Sequence, residues 1–505
     1  MLHSSEQGGV CTVKDAQFSR PSILQRISRI GCAMLLTVIA CETRAGTLAQ
    51  VQQLVDAGQF SSAEAHIAQA LAQPSLSSAD RSALTFERER MRRILIDFSL
   101  TAEDAQKRLR RQIPDLSSTE FAAWDAAGLL EHQVIDGRTL YFNRAPSNLF
   151  RLSEAAVKRR NSTTPAFTDG PNETANTHHR EVRDEALKTG KHSVAPRHIR
   201  VTYSLTVNPD AVPNGAALRA WLPFPRVLPG QQEDVRLLES TPAKHSVAPE
   251  SALQRTVYLE KSAEAGKPTL FSITYELTVF GQYHAIDAAK VQPVSLTPAL
   301  VPYVAERTPH ILFTPAIRQF SREIVGTETN TFRIAQKLFA AVDRIPWAGA
   351  REYSTISNIS EYTLHAGHGD CGQQTLLLMT LLRLNGIPTR WQSGWVYADA
   401  TLGDAGYNNM HDWAQIYLPP YGWMPMDVTF GRLKSGDPQI DGFYLGGLDA
   451  YRIAFNDDFS QAFVPAKQHP RSDTVDSQRG EVEWRGGNLY FDQWDYKFEA
   501  QVQGR

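Results

Sequence analysis

The chain has 505 residues, of which 42% are hydrophobic and 21% are charged, and its formal net charge is −2. This length exceeds what one ordinary hydrophobic core accommodates and predicts several domains. The balanced charge, without a basic excess, argues against nucleic acid as a partner.

The first 45 residues are predicted to be an export signal. Three arginines precede the apolar run IGCAMLLTVIA at 30–40, which is too short to span a bilayer. Two outcomes stay open: cleavage near the TRA at 43–45, or a lipoprotein signal in which a lipidated Cys41 tethers the protein to a membrane. Either outcome predicts a location in the bacterial cell envelope, periplasmic or lipid-anchored.

The four cysteines are distributed unevenly. Cys11, Cys32 and Cys41 lie in the predicted signal, so Cys371 is the one cysteine outside it. The exported chain therefore has no disulfide framework, and a leftover thiol in an exported protein is a candidate reactive group.

Residues 46–160 are predicted to form a helical domain. LAQVQQLVDAGQFSSAEAHIAQALAQP places apolar residues at helical spacing on both sides of DAGQF, which predicts a helix pair within a small bundle. The polar stretch 161–194 has no periodicity and is predicted to be a linker.

From residue 195 the hydrophobic period changes to two. HIRVTYSLTVNP, ALRAWLPFPR, TVYLEK and TLFSITYELTVFGQY are strand-like and are separated by Pro, Gly and Asn. A β-sandwich over 195–290 fits this pattern.

Residues 291–460 are predicted to form a third domain in which helices precede strands, an α+β arrangement. TNTFRIAQKLFAAVDRI is an amphipathic helix pattern, and strand-like segments dominate 390–430. The aromatic-rich extension 461–505 is predicted to be a hairpin that closes on one of the other domains.

Cys371 begins a strongly predicted helix. Asp370 and Gln373 have the spacing of a capping box, the run TLLLMTLLRLNG is apolar nearly all round, and Gly386 ends it. The unpaired N–H groups of a first helical turn favour a thiolate and face the position of an oxyanion. Asp370 opposes the thiolate by its charge, so an activating base is also needed.

A base and an orienting carboxylate follow in MHDWAQIYLPPYGWMPMDVTFG, which is predicted to be a hairpin. An odd-numbered loop or one bulge places His411 and Asp427 on the same face. His411 can then take the thiol proton while Asp427 fixes the imidazole tautomer, as in a Cys-His-Asp triad.

GDCGQ, the buried helix that ends in RLNGIPTR, and HDWAQIYLPPYGWMPMDVTFG resemble the core of the transglutaminase-like superfamily of papain-type folds, over about 315–455. The resemblance implies Cys371 as nucleophile, His411 as general base and acid, and Asp427 as orienter. It also implies acyl transfer through a thioester at amide bonds of proteins or peptides, with hydrolysis, deamidation or transamidation as outcomes. The sequence contains no convincing site for the calcium that animal transglutaminases use, since the acidic FNDDF at 455–459 lacks enough spaced oxygen ligands, so no cofactor is expected. The expected fold is multidomain, with an α+β papain-like transglutaminase core preceded by a helical domain and a β-sandwich.

Several alternatives stay open. The family's second oxyanion donor could be Trp347 or Tyr353, although packing is the competing role for both. A metal site formed by His365, His368, Cys371 and Asp427 is not expected, because the spacing matches no closed ligand set.

A non-catalytic envelope binding or scaffolding protein is the main rival function, and the sequence does not indicate an oligomeric state. Five aromatic residues could line a substrate groove or fill the core: Trp391, Trp395, Trp413, Tyr417 and Trp423.

Overall fold

The computed structural model describes residues 46–161, 174–397 and 409–503. The predicted export signal, including Cys11, Cys32 and Cys41, lies outside these ranges. Within them, no helix combines the length and apolar character that crossing a bilayer requires.

The first part of the structure is helical and contains one small β-hairpin. Its elements are α1 (46–56), α2 (Phe60–Leu71), α3 (Ser78–Asp97), α4 (Ala102–Arg110), α5 (Ser118–Ala126), β1 (His132–Ile135), β2 (Arg138–Tyr141), α6 (Ala145–Leu152) and α7 (Glu154–Arg159). The predicted helix pair is α1 and α2, whose apolar stripes share a core with α3. Gly58 separates the pair with φ 71°, and a Cβ there would stand 2.0 Å from the Val134 carbonyl oxygen, so only glycine fits the turn.

The prediction of a linker without regular structure over 161–194 is wrong for part of this segment, which forms helix α8 (Thr177–Thr189). Asn176 and His179 make a capping box, and Gly190 ends the helix in the left-handed conformation. Because the helix is polar overall, its sequence shows no clear hydrophobic period. Burial of His178 and Val182 against the neighbouring sheet stabilises it, and that contact is tertiary. The remainder of the predicted linker falls partly on 162–173, outside the described residues.

Two antiparallel sheets follow and share one hydrophobic core. Their strands are β3 (Ser193–Val207), β4 (Ala217–Pro223), β5 (Gln232–Thr241), β6 (His245–Val247), β7 (Thr256–Ser262), β8 (Thr269–Tyr283), β12 (Gly447–Leu448), β14 (Glu481–Trp484), β15 (Gly487–Leu489) and β16 (Trp494–Gln503). One sheet has the order β12–β8–β3–β16 with β5 also paired to β8, and the other has β15–β14–β4–β7–β6. The four predicted strand segments are β3, β4, β7 and β8, and alternate residues of β3 are buried, as a period of two requires.

The C-terminal segment completes both sheets. The predicted hairpin is β14 and β15, and β14 pairs with β4 through Glu481 and Trp221. β16 pairs with β3 along its whole length, from Trp494 opposite Val207 onward. The tail therefore closes on the strands of the preceding region, as its pattern predicts.

Helices and a four-stranded antiparallel sheet make up the rest of the structure, with the strand order β11–β10–β9–β13. The elements are α9 (Pro315–Val325), α10 (Thr331–Asp343), α11 (Ile359–Ala366), α12 (Cys371–Leu384), β9 (Thr389–Val396), β10 (Asn409–Leu418), β11 (Gly422–Met426), α13 (Pro438–Asp441) and β13 (Arg452–Asn456), with 3-10 turns at Val301–Tyr303 and Tyr353–Thr355. The predicted amphipathic helix is α10, whose apolar face is buried. The described residues thus form a mixed α+β structure with N-terminal helices and several antiparallel sheets.

Candidate active site

Cys371 is the first residue of α12, where the capping box places it. The Gln373 N–H donates to Asp370 Oδ1 at 3.0 Å, and the Asp370 N–H donates to Gln373 Oε1 at 3.2 Å. Nearly every side chain of α12 is buried, and Gly386 ends the helix with φ 72°. Because the helix is packed on all sides, the backbone of Cys371 is fixed with it.

His411 and Asp427 lie together, as the hairpin predicts. β10 and β11 pair from Ala414 opposite Met426 to Leu418 opposite Gly422, which leaves an odd loop of 419–421. His411 Nε2 is 2.7 Å from Asp427 Oδ2, and both side chains are fully buried. Strand register therefore positions the imidazole and the carboxylate on one face.

Three further groups hold the Asp427 carboxylate. Arg452 donates to Oδ2 from Nη2 at 2.8 Å and from Nε at 3.1 Å. The N–H groups of Thr429 and Phe430 each donate to Oδ1 at 3.2 Å. Burial alone would raise the pKa of Asp427, but the charges of His411 and Arg452 and these hydrogen bonds hold it below its ordinary value.

The thiol itself has a different partner. Cys371 Sγ donates to Asp412 Oδ2 at 3.1 Å. The Tyr353 hydroxyl lies 3.2 Å from the same oxygen and 2.8 Å from Asp370 Oδ1, to which it donates over the shorter distance. Burial, followed by the charges of Asp412 and Asp370, raises the pKa of Cys371 well above its ordinary value. The sequence predicts that the helix start favours a thiolate. In the structure, burial and the two carboxylates have the opposite effect and favour the neutral thiol.

A cavity of about 160 Å³ opens above Cys371. Its walls come from separate parts of the chain: Arg144 before α6, the loop 347–353, Asp370 at the start of α12, the first residues of β10, and Asp473, Gln478 and Arg479 before β14. The helical region and the C-terminal segment thus contribute directly to the site.

The helical region fixes one wall of this cavity. Asn148 donates from Nδ2 to the Gly349 carbonyl at 2.9 Å, and the Gly349 N–H donates back to Asn148 Oδ1 at 2.9 Å. Asp97 accepts from the Glu352 N–H and from the Thr355 hydroxyl, each at 3.1 Å. These bonds position the loop that carries Tyr353.

The sequence reasoning missed three residues of the site. Asp412 stands in HDW beside His411 and could have been singled out as a second carboxylate near the cysteine. Arg452 and Gln478 carry no local signal, because their partners are distant in sequence: Gln478 Nε2 donates to the His411 carbonyl and to Asp412 Oδ1, both at 2.8 Å. Both candidate oxyanion donors, Trp347 and Tyr353, line the cavity.

The two histidines of the alternative metal site differ in their exposure to solvent. The His365 side chain is 64% exposed and His368 is buried. In the part of the chain that the structure describes, no group of three or more His, Cys, Asp or Glu side chains is arranged to hold a metal ion.

The aromatic residues near the site divide between core and surface. Trp391, Trp395 and Trp413 are buried, whereas Tyr417 and Trp423 are only partly so. The three buried tryptophans therefore fill the core and do not form a substrate groove.

Comparisons with known proteins agree with the geometry. Residues 318–428 match the model of the transglutaminase-like superfamily. The uncharacterized protein YebA of Bacillus subtilis is 28% identical over 81 residues, which is 14% of this chain and 11% of YebA, so the match spans only a small part of that relative.

Two solved structures are similar over larger parts of the chain. One, from Cytophaga hutchinsonii and described as a "Putative Cysteine Protease", is 16% identical with a TM-score of 0.41 and covers 62% of this chain and 93% of its own. The periplasmic domain of TgpA from Pseudomonas aeruginosa is 13% identical with a TM-score of 0.24 and covers 54% of this chain and 99% of its own. The family assignment rests on the sequence match: the chain contains a transglutaminase-like superfamily domain, and Cys371, His411 and Asp427 all lie within it.

Proposed function

We propose that this protein is a cysteine-dependent enzyme that hydrolyses or transfers amide bonds of proteins or peptides through a thioester. The observation that carries the proposal is the buried contact of 2.7 Å between His411 Nε2 and Asp427 Oδ2. With Nε2 held by Asp427, proton exchange with a substrate or a nucleophile goes through Nδ1 of the same ring. Cys371, at the start of a helix in the same domain, is the nucleophile.

The reaction follows from these roles. Cys371 Sγ attacks the amide carbonyl carbon, the S–H bond breaks, and its proton passes to His411. The oxyanion is stabilised by N–H groups of the first turn of α12, and the Tyr353 hydroxyl is the favoured second donor. His411 then protonates the departing amine, and water or a second amine attacks the thioester with His411 as base. Asp427 orients the imidazole and stabilises its charged form.

The location of the protein is a second part of the proposal. The arginines and the apolar run before residue 41 support export to the bacterial cell envelope, with cleavage or lipidation at Cys41 as the two endings. Fractionation of cells that express the full chain, compared with a Cys41→Ala variant, tests this. Membrane recovery that is lost in the variant indicates lipidation, periplasmic recovery of both indicates cleavage, and a cytoplasmic location of both contradicts export.

The activity is tested by trapping the acyl-enzyme. The full chain is mixed with glutamine-containing peptides, with and without a primary amine, and intact-protein mass spectrometry follows adducts on Cys371. We expect an adduct in the wild type and none in Cys371→Ala, together with cleaved, deamidated or amine-linked peptide. Absence of both adduct and product in the wild type, with folding intact, would contradict catalysis and favour the envelope binding or scaffolding function.

A further inference from the structure

Asp412 contacts the sulfur of the proposed nucleophile. It follows His411 on β10, so its side chain leaves the opposite face of the strand. Its Oδ2 lies 3.1 Å from Cys371 Sγ, and Asp412 and Cys371 both line the cavity. The roles proposed for Cys371, His411 and Asp427 do not require a carboxylate beside the sulfur of Cys371.

Two donors converge on the Asp412 carboxylate: the thiol at Oδ2 and Gln478 Nε2, which donates to Oδ1 at 2.8 Å. The Tyr353 hydroxyl lies 3.2 Å from Asp412 Oδ2 and 2.8 Å from Asp370 Oδ1, so its one proton goes to one carboxylate or the other. Because an amide N–H can only donate, its bond favours the ionised form of Asp412, and the proton of the bond to sulfur then stays on the thiol. The geometry therefore describes a neutral thiol held by an anion.

The neighbouring groups act on Asp412 in both directions. Burial raises the pKa of Asp412 above its ordinary value, and hydrogen bonds from Asp476, Cys371 and Tyr353 offset only part of that rise. Burial and the charges of Asp473 and Asp412 raise the pKa of Asp476 well above its ordinary value, so Asp476 keeps its proton and can donate it toward Asp412. Titratable and charged groups reach the thiol region from several elements: Asp370 (start of α12), His411 (β10), Tyr353 (the turn before α11), Arg144 (before α6), and Asp473, Asp476 and Arg479 (before β14).

We propose that Asp412 is a catalytic residue that retains the thiol proton: in the resting enzyme it holds Cys371 as a neutral, hydrogen-bonded thiol instead of a thiolate–imidazolium pair. This inference rests on the proposed function, because it describes how the same nucleophile is kept before substrate arrives. Rotation about the Cα–Cβ bond of Cys371 takes Sγ away from Asp412 as the substrate carbonyl enters. The S–H bond then breaks, the S–C bond forms, the proton passes to His411, and Asp412 stays ionised.

This role distinguishes Asp412 from Asp473, which lines the same cavity. Asp473 accepts from the N–H groups of Val475 and Asp476, at 2.8 and 3.1 Å, and faces Arg479 at 3.6 Å. Both carboxyl groups line the same cavity, but Asp412 contacts Cys371 Sγ and Asp473 does not bond to it. Asp473→Asn is therefore the matched control for Asp412→Asn.

The test is alkylation of the full chain by iodoacetamide between about pH 5 and pH 9, where a free thiol has its midpoint at about 8.5. We expect the wild-type midpoint to lie above that of a free thiol. In Asp412→Asn the midpoint should fall by at least about one pH unit, which is a roughly tenfold faster reaction at neutral pH. Asp473→Asn should shift the midpoint by less than Asp412→Asn, because Asp473 reaches the thiol only through Asp476. A wild-type midpoint well below that of a free thiol, or equal acceleration by both substitutions, would overturn the proposal.

A second measurement needs no variant of Asp412. The infrared S–H stretch of the wild type, identified by subtracting the spectrum of Cys371→Ala, should be present at neutral pH and shifted by hydrogen bonding. Its absence would show a resting thiolate and overturn the proposal even if Asp412→Asn fails to fold. Neither readout uses a substrate, so a failure here is distinct from a failure to form an acyl-enzyme.

Discussion

Gly372 lies directly beneath the Tyr353 hydroxyl. A Cβ built on Gly372 would stand 2.1 Å from Tyr353 Oη and 2.8 Å from Asp412 Oδ2. The first turn of α12 thus has room for the hydroxyl only because residue 372 has no side chain. Tyr353, the candidate oxyanion donor, and Asp412 therefore pack tightly against the residue that follows Cys371, the proposed nucleophile.

Gly372→Ala should therefore displace Tyr353 and Asp412 while the rest of α12 keeps its packing. We expect turnover to fall between about 10- and 100-fold, because a misplacement of about 1 Å at a reacting centre has this effect. Steady-state kinetics measures the loss, and circular dichroism verifies the fold. Gly442→Ala is the control, because its nearest contact would be an ordinary 3.4 Å. Full activity in Gly372→Ala would contradict the arrangement.

Arg452 should be essential to stability because it is the buried counter-charge of two carboxylates. It donates to Asp427 and also pairs with Asp449, and its side chain is fully buried. Arg452→Gln should lower the free energy of unfolding by about 3–5 kcal/mol, as breaking a buried ion pair does. Adding Asp427→Asn should restore part of that loss, since one uncompensated charge is removed.

Urea unfolding of these variants provides the measurement. Arg200→Gln is the control, because its pair with Glu276 is largely exposed and contributes about 0–1 kcal/mol. An equal, small loss in Arg452→Gln and Arg200→Gln would show that Asp427 does not depend on this arginine.

Asn148 should couple the helical region to catalysis. Asn148→Ala leaves the buried N–H and carbonyl of Gly349 without their side-chain partner, which costs about 1–3 kcal/mol of stability. Because the loop that follows carries Tyr353, kcat/KM should also fall. Thermal unfolding and steady-state kinetics check the two effects. Ser147→Ala, at an exposed position of the same helix, should change neither, and a normal kcat/KM in Asn148→Ala would separate the helical region from the site.

Two buried carboxyl groups should each contribute a loss of stability as pH rises from about 4 to 7, opposite in sign to buried histidines such as His179 and His310, whose pKa burial lowers to about 4. Burial, reinforced by the charge of Glu352, raises the pKa of Asp97 from an ordinary 3.8 to about 7, and burial and the charge of Asp412 raise the pKa of Asp370 to about 7. Between these values the folded state binds more protons than the unfolded state, so each group reduces stability by up to about 1.4 kcal/mol per pH unit.

Asp97→Asn should remove the contribution of Asp97 and leave that of Asp370, so the variant should gain stability relative to the wild type as pH rises. Chemical denaturation at about pH 5 and pH 7 measures the difference between wild type and variant. An identical pH dependence in both proteins would contradict the assignment to Asp97.

The local part of the site could be predicted from the sequence, because short-range signals determine it. The capping box at Asp370 and Gln373, the apolar run of α12 and the odd hairpin loop each lie within a few residues, and together they position Cys371, His411 and Asp427. The partners that set the charge state of these residues could not be predicted. Arg452 and Gln478 arrive from elements whose approach depends on the complete tertiary structure.

The same distinction applies to the fold. Strands β3 and β8 alternate clearly and were predictable, whereas β5 buries only Gln232 fully and has no clear hydrophobic period to detect. α8 has a low apolar content and forms because its few buried residues meet a sheet. Elements whose stability comes from long-range contacts are the ones that local patterns miss.

The pairing of β16 with β3 makes the transglutaminase-like domain an insertion between strands of the same sheet. The sheet cannot close until residues after 494 have been synthesised, so ribosomal synthesis passes through a stage in which Cys371 and His411 exist but Gln478 and Arg479 do not. Final assembly of the cavity is thereby delayed to the end of translation. We expect nascent chains that stop before β14 to lack a competent site even if α12 and the β9–β11 sheet have already formed.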